Sequence, residues 1–175
     1  MARSWDGRDV PELRVPSDLD ELLLQLRSSL QPERLAAARL LDDIAQTPAV
    51  ERALTDAAMS DPDPMVRKWS LHALVCTHCK PDGVCSTDVV GVLVHALVHD
   101  RSAKVRKFAA GLLMWNHDGD PRIEAAFRTV LSSSQQKLLR ERAAIFLASR
   151  DLPRGERTHR EWHPEWKRRI EELLA

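Results

Sequence analysis

The chain has 175 residues, with 26 Lys and Arg against 26 Asp and Glu, so its formal net charge is zero. That balance argues against a protein that coats nucleic acid or an anionic membrane, while leaving room for a local basic groove. Hydrophobic residues make up 43% and charged residues 30%, and the three cysteines are confined to positions 76–85; these figures exclude a disordered chain, a membrane span and a disulfide-stapled secreted scaffold.

Residues 1–16 contain Trp5 and a Pro11/Pro16 stretch and read as an extended N-terminal capping segment. The opening residues carry no apolar run, so no signal peptide is expected, and the expected compartment is the cytoplasm. Twenty Arg against six Lys, with no Tyr, suggest a high-GC, bacterial genome. Ser17 is expected to cap a helix over 18–29 with acids in its first turn. Further helices are expected over 32–41, 49–60, 65–75 and 87–99, and within the repeat copy 100–113. Pro121 suits the first position of a helix over 122–131. Another helix follows over 139–147, then a linker-like break from Asp151, and a last short helix over 166–174. The longest nearly uncharged stretch, Val84 to Val98, is interrupted by Asp88 and His95 and is too short to span a bilayer.

Self-similarity organises these elements. Asp61-Pro-Asp-Pro-Met-Val-Arg-Lys-Trp-Ser-Leu-His-Ala-Leu74 aligns without gaps onto residues 100–113, a shift of 39. Asp61 falls on Asp100, Val66 on Val105, Arg67 on Arg106, Lys68 on Lys107, Trp69 on Phe108 and Leu74 on Leu113. The segment 139–147 repeats the pattern 34 residues further on, and 32–41 is a degenerate upstream copy. The apolar positions Met65, Val66, Trp69, Ala73 and Leu74 have the spacing of one helix face. Each copy is therefore the second member of a helix pair. No such pair buries both faces alone, so the pairs must stack.

The segments resemble the second helix of HEAT repeats, whose motif Asp-Pro-x-x-x-Val-Arg-x-x-Ala-x-x-Ala-Leu stands nearly whole at 61–74. The resemblance covers roughly residues 17–149. It implies an all-α fold, a short right-handed α-solenoid of about four helix pairs, with atypical ends at 1–16 and 150–175. It also implies that Asp61, Arg67, Asp100 and Arg106 form a structural ladder between neighbouring turns rather than a reactive centre. Trp162, Trp166, Leu173 and Leu174 are expected to cap the core.

The one irregular feature is Cys76-Thr-His-Cys-Lys-Pro-Asp-Gly-Val-Cys85, which ends one inner helix and continues into a Pro-Asp-Gly turn. Cys-x-x-Cys spacing lets two thiolates share a metal, and Cys85 can join Cys76 and Cys79 once the turn folds back. A zinc there needs a fourth ligand. His72 lies one turn before Cys76 on the same face, His117 is the counterpart of His78 in the next copy, and His78 and Asp82 are local. Inert buried thiols, a Cys76–Cys79 redox pair and a nucleophilic cysteine are the competing readings.

In HEAT arrays the second helices line the concave side, which implies a binding stripe of Arg39, Lys68, His72, Lys107, Gly111 and Trp115. Steps of four from Leu35 through Arg39 also place Asp43 on it. Such a surface suits a protein or peptide partner. The chain has no Gly-rich phosphate loop, no His-Glu-x-x-His and no Gly-x-Ser-x-Gly. A non-enzymatic interaction module is therefore the leading expectation. One HEAT-like branch comprises glycosylases of alkylated DNA bases, and Trp69, Trp115, Lys68, Lys107, Arg106 and Asp43 fall in candidate places. The present chain is smaller and lacks the surplus of cations that phosphate contacts require. Another branch resembles phycobilin lyase subunits and implies a small-molecule or biosynthetic role, but none of its specific residues carry over.

Overall fold

The computed structural model describes residues 18–44, 47–75, 88–116, 119–149 and 164–175. Among these the fold is all-helical, without strands. The helices are α1 (Leu19–Gln25), α2 (Gln31–Leu40), α3 (Pro48–Ser60), α4 (Pro64–Val75), α5 (Val89–His99), α6 (Ala103–Asn116), α7 (Pro121–Ser133), α8 (Lys137–Ser149) and α9 (Pro164–Leu174), and a 3₁₀ turn (Leu41–Asp43) extends α2. The segment 1–16, Cys76, His78, Cys79, Asp82, Cys85, His117, Trp162 and the side chains of Trp115 and Trp166 lie outside the described residues.

Short polar side chains set the helix starts. Asp18 Oδ1 accepts the Glu21 N–H at 2.8 Å, so Asp18 occupies the cap position expected for Ser17. The Thr47 hydroxyl accepts from Val50 N–H at 3.3 Å ahead of Pro48. Asp63 Oδ1 accepts from Met65 and Val66, Asp88 Oδ1 from Gly91, and Asp120 Oδ1 from Arg122. Helix α1 stops at Gln25, well short of the expected residue 29. Ser28 diverts the chain there: its hydroxyl accepts the Leu30 N–H at 3.0 Å and bonds Glu33, a local alternative to helical pairing.

The helices pack as adjacent pairs, α3 on α4, α5 on α6 and α7 on α8. Between pairs, α2, α4, α6 and α8 touch in sequence, as do α3, α5 and α7, which makes two rows. The core runs between the rows through Leu54, Leu71, Leu93, Leu97, Leu113, Phe127 and Leu139, all fully buried. Each such side chain contributes roughly 1.5–3 kcal/mol of burial. Phe127 stacks on Phe146 at 4.2 Å between ring centroids. At the C-terminal end, α9 lies on α8, with Ile170 buried against Ala144 and Ala148 and with Leu173 and Leu174 partly covered. No helix among the described residues is long and apolar enough to cross a membrane.

Candidate interaction face

The Asp and Arg of the repeat motif connect neighbouring pairs. Arg34 Nε and Nη2 bond Asp61 Oδ2 and Oδ1 at 2.7 and 3.2 Å. Arg67 bonds Asp100 in the same way, at 2.7 and 2.9 Å. Each arginine reaches the aspartate of the following copy, and its remaining nitrogen goes back to its own copy's turn. Arg34 Nη1 bonds Ser28 O and Ser29 O, Arg67 Nη1 bonds Asp61 O and Pro62 O, and Arg106 Nη1 bonds Asp100 O. The carboxylates close the turns as well, since Asp61 Oδ1 accepts from Asp63 N–H at 2.8 Å and Asp100 Oδ1 from Ser102 N–H at 2.6 Å. Burial alone would push the Asp100 carboxyl up. The Arg67 guanidinium and the Ser102 amide outweigh it and hold that carboxyl below its ordinary range. The Asp100 hydrogen bond in turn raises the Arg67 guanidinium above its usual value. These pairs are doubly bonded and buried, at 3% and 6% side-chain exposure for Arg67 and Asp100.

A different cluster lies on the row α2, α4, α6 and α8. The Arg39 guanidinium sits 5.1 Å from the Trp69 ring centre, and the Lys68 ammonium 4.8 Å from that of Phe108. Between them stands His72, edge-on to Trp69 at 5.4 Å and stacked near Phe108 at 6.1 Å. The result is a continuous strip across three helices: cation, indole, imidazole, phenyl, cation. One pair further along, Arg142 Nη1 bonds Lys107 O at 2.9 Å and lies over Gly111. Lys68, Trp69, His72, Lys107, Phe108 and Gly111 are all half-buried.

The polar atoms beneath the strip are poorly satisfied. Asp42 Oδ2 lies 3.0 Å from His72 Nδ1, with His72 38% and Asp42 15% exposed at the side chain. The approach is off the line of a ring N–H bond. His72 Nδ1, Asp42 Oδ1 and Trp69 Nε1 are all buried without a hydrogen-bond partner. Leaving such atoms unpaired costs about 1–3 kcal/mol each.

Arg39, Lys68 and His72 thus meet in one strip, whereas Lys107 and Gly111 lie beside it with Arg142. Asp42 takes the place expected for Asp43, which is exposed. A 3₁₀ turn has three residues per turn, so the register from Arg39 advances by three at Leu41–Asp43 rather than by four. Phe108 was legible as the counterpart of Trp69, but Arg142 carried no signal beyond its place in the fourth copy. Of the metal candidates only His72 is described, and no group of three or more His, Cys, Asp or Glu that could hold a metal occurs among the described residues. No protein-family model matches the chain, and no curated protein or solved structure is significantly similar to it.

Proposed function

We propose that the chain is a non-enzymatic HEAT-like α-solenoid module that binds a protein or peptide segment on the face formed by α2, α4, α6 and α8. The observation that carries this reading is the Arg39–Trp69–His72–Phe108–Lys68 strip, which crosses three helices without a break. Interface hot spots are typically Trp and Arg side chains in partly desolvated settings. A peptide group offers both an acceptor for an indole N–H and a donor for a carboxylate, the two functions left unpaired at Trp69 and Asp42. Small rotations of these half-buried side chains bring those atoms to a partner. The surrounding cations favour a segment that carries acidic residues.

Selection from a displayed peptide library on the purified protein tests this. Peptides enriched by the wild type should weaken at least tenfold on Trp69→Ala and on the double variant Arg39→Glu/Lys68→Glu, with helicity unchanged. Equal binding to all three proteins places the interaction elsewhere. DNA binding that falls steeply with salt would favour the glycosylase-like alternative, and a co-purified chromophore the lyase-like one.

We further propose a zinc held by Cys76, Cys79 and Cys85 with a histidine. His72 is favoured because it stands four residues before Cys76, the spacing of one helical turn. Elemental mass spectrometry of protein purified without a histidine tag should then find about one zinc per chain, with the thiols protected until chelator is added. Freely titrating thiols in metal-free protein would remove the site.

A further inference from the structure

The ladder of arginines continues beyond its carboxylates. Arg34, Arg67, Arg106 and Arg140 occupy one register of the repeat. Arg34 and Arg67 each grip the aspartate that ends the first helix of the next pair, Asp61 after α3 and Asp100 after α5. The residue at that position after α7 is Ser134. It performs half of the aspartate's task, because its hydroxyl accepts the Gln136 N–H at 3.2 Å as Asp61 accepts from Asp63 and Asp100 from Ser102. It cannot perform the other half. Arg106 bonds the Asp100 carbonyl and forms no ion pair with any described residue. At the fourth position Arg140 bonds the Leu174 carbonyl of α9 instead.

The surface at these rungs is indented in the same way each time. Arg34 and Asp61 line a cavity of about 370 Å³, Arg67 and Asp100 one of about 190 Å³, and Arg106 and Ser134 one of about 270 Å³. Gln136 also lines the third, and its Oε1 is buried without a partner. Reversing that amide places an NH₂ donor there, which an incoming acceptor would satisfy.

We propose that the cavity between Arg106 and Ser134 is a carboxylate-binding site, in which an external carboxylate takes the place that Asp61 and Asp100 fill at the other rungs. The fold itself shows the bound geometry twice: both carboxylate oxygens on Nε and Nη2 of the arginine, a bidentate arrangement that favours carboxylates by shape as well as charge. The carboxylate comes either from a small free acid or from an Asp or Glu side chain of a protein segment. None of the strip residues takes part, so this site stands or falls independently of the peptide-binding reading.

Thermal unfolding at constant ionic strength tests it, with sodium acetate for the free source and N-acetyl-aspartate amide for the side-chain source, against chloride and sulfate. At about five times Kd, linkage predicts a sixfold shift of the folding equilibrium, about 2–4 °C for a chain of this length. Ser134→Asp supplies the carboxylate internally. It should raise the melting temperature in chloride by a similar amount and abolish the response to both probes. Arg106→Gln should also abolish the response, and the aspartate variant keeps the test decisive if the glutamine variant does not fold. A shift with one probe only supports the site and identifies its source. No shift with either probe, an equal shift with sulfate, or a response that survives in Ser134→Asp would each overturn the proposal.

Discussion

The rungs at Asp61 and Asp100 and the strip around His72 are assembled from similar groups, carboxylates beside cations, but they are finished differently. At the Arg67–Asp100 rung the carboxylate takes two guanidinium bonds and a backbone N–H, and the remaining guanidinium nitrogen bonds carbonyls. At the strip, cations lie over rings rather than on carboxylates, and Asp42 and His72 approach without a bond. A closed network has nothing left to offer a partner and holds the pairs in register. An open one costs stability locally and keeps its donors and acceptors for something else.

The contrast breaks most readily at the closed rung. Arg67→Ala leaves the Asp100 carboxylate buried without its partner and should cost about 3–5 kcal/mol in urea unfolding. Replacing both groups by apolar residues of similar volume should cost much less, because the penalty comes from the orphaned charge. If the single variant loses under 1 kcal/mol, the rung is ornamental and the contrast fails.

Acid sharpens the same point. Asp100 has its carboxyl held below the ordinary value of 3.8. A depressed folded-state value means that its stabilisation is present above the unfolded-state value and is lost as pH falls through the folded one. Unfolding free energy should therefore drop on the acid side, below about pH 4, and the drop should be shallower in Asp100→Asn. Identical acid limbs in the two proteins would show that the pair does not govern this region.

The strip should respond in the opposite sense. Arg39→Glu and Lys68→Glu touch an exposed and a half-buried cation over rings, so each should change stability by no more than about 1 kcal/mol while weakening a partner at least tenfold. A stability loss as large as that of Arg67→Ala would mark the strip as a second structural ladder.

The helix pairs were legible because apolar spacing is a local property, whereas the one polar cap read from the sequence, Ser17, gives way to its neighbour Asp18. Of the expected ladder residues, Asp61, Arg67 and Asp100 do join neighbouring pairs, whereas Arg106 forms no ion pair among the described residues and Arg34, which holds Asp61, was missed. The partner of each arginine was not legible. Within one copy Asp61 and Arg67 are six residues apart and look like a pair, but Arg67 reaches across to Asp100, which only the stacking of helices decides. Asp42 was hidden for a smaller reason, the tightening of one turn to three residues. The unpaired state of Trp69 Nε1 is likewise a product of packing, and no residue pattern announces it.

The mildest test separates two glycines. At Gly111 an added Cβ meets only Arg142 Nη1, at 3.6 Å, an ordinary contact with the end of a flexible side chain. Gly111 lies inside α6, where alanine is worth about 0.5–1 kcal/mol more than glycine, so Gly111→Ala should stabilise by that amount. At Gly91 a Cβ would stand 2.3 Å from Asp88 Oδ2, the carboxylate that caps α5 and pairs with Arg122. There the helix gain is offset by a displaced cap, and Gly91→Ala should be neutral or destabilising. Both variants keep the strip intact, whereas Gly111→Trp adds bulk beside it and should block a partner without loss of helicity. Thermal melts of the two alanine variants decide the first part. If Gly111→Ala is the less stable of the two, Arg142 is not free to yield, and the region beside the strip is as closed as the rungs.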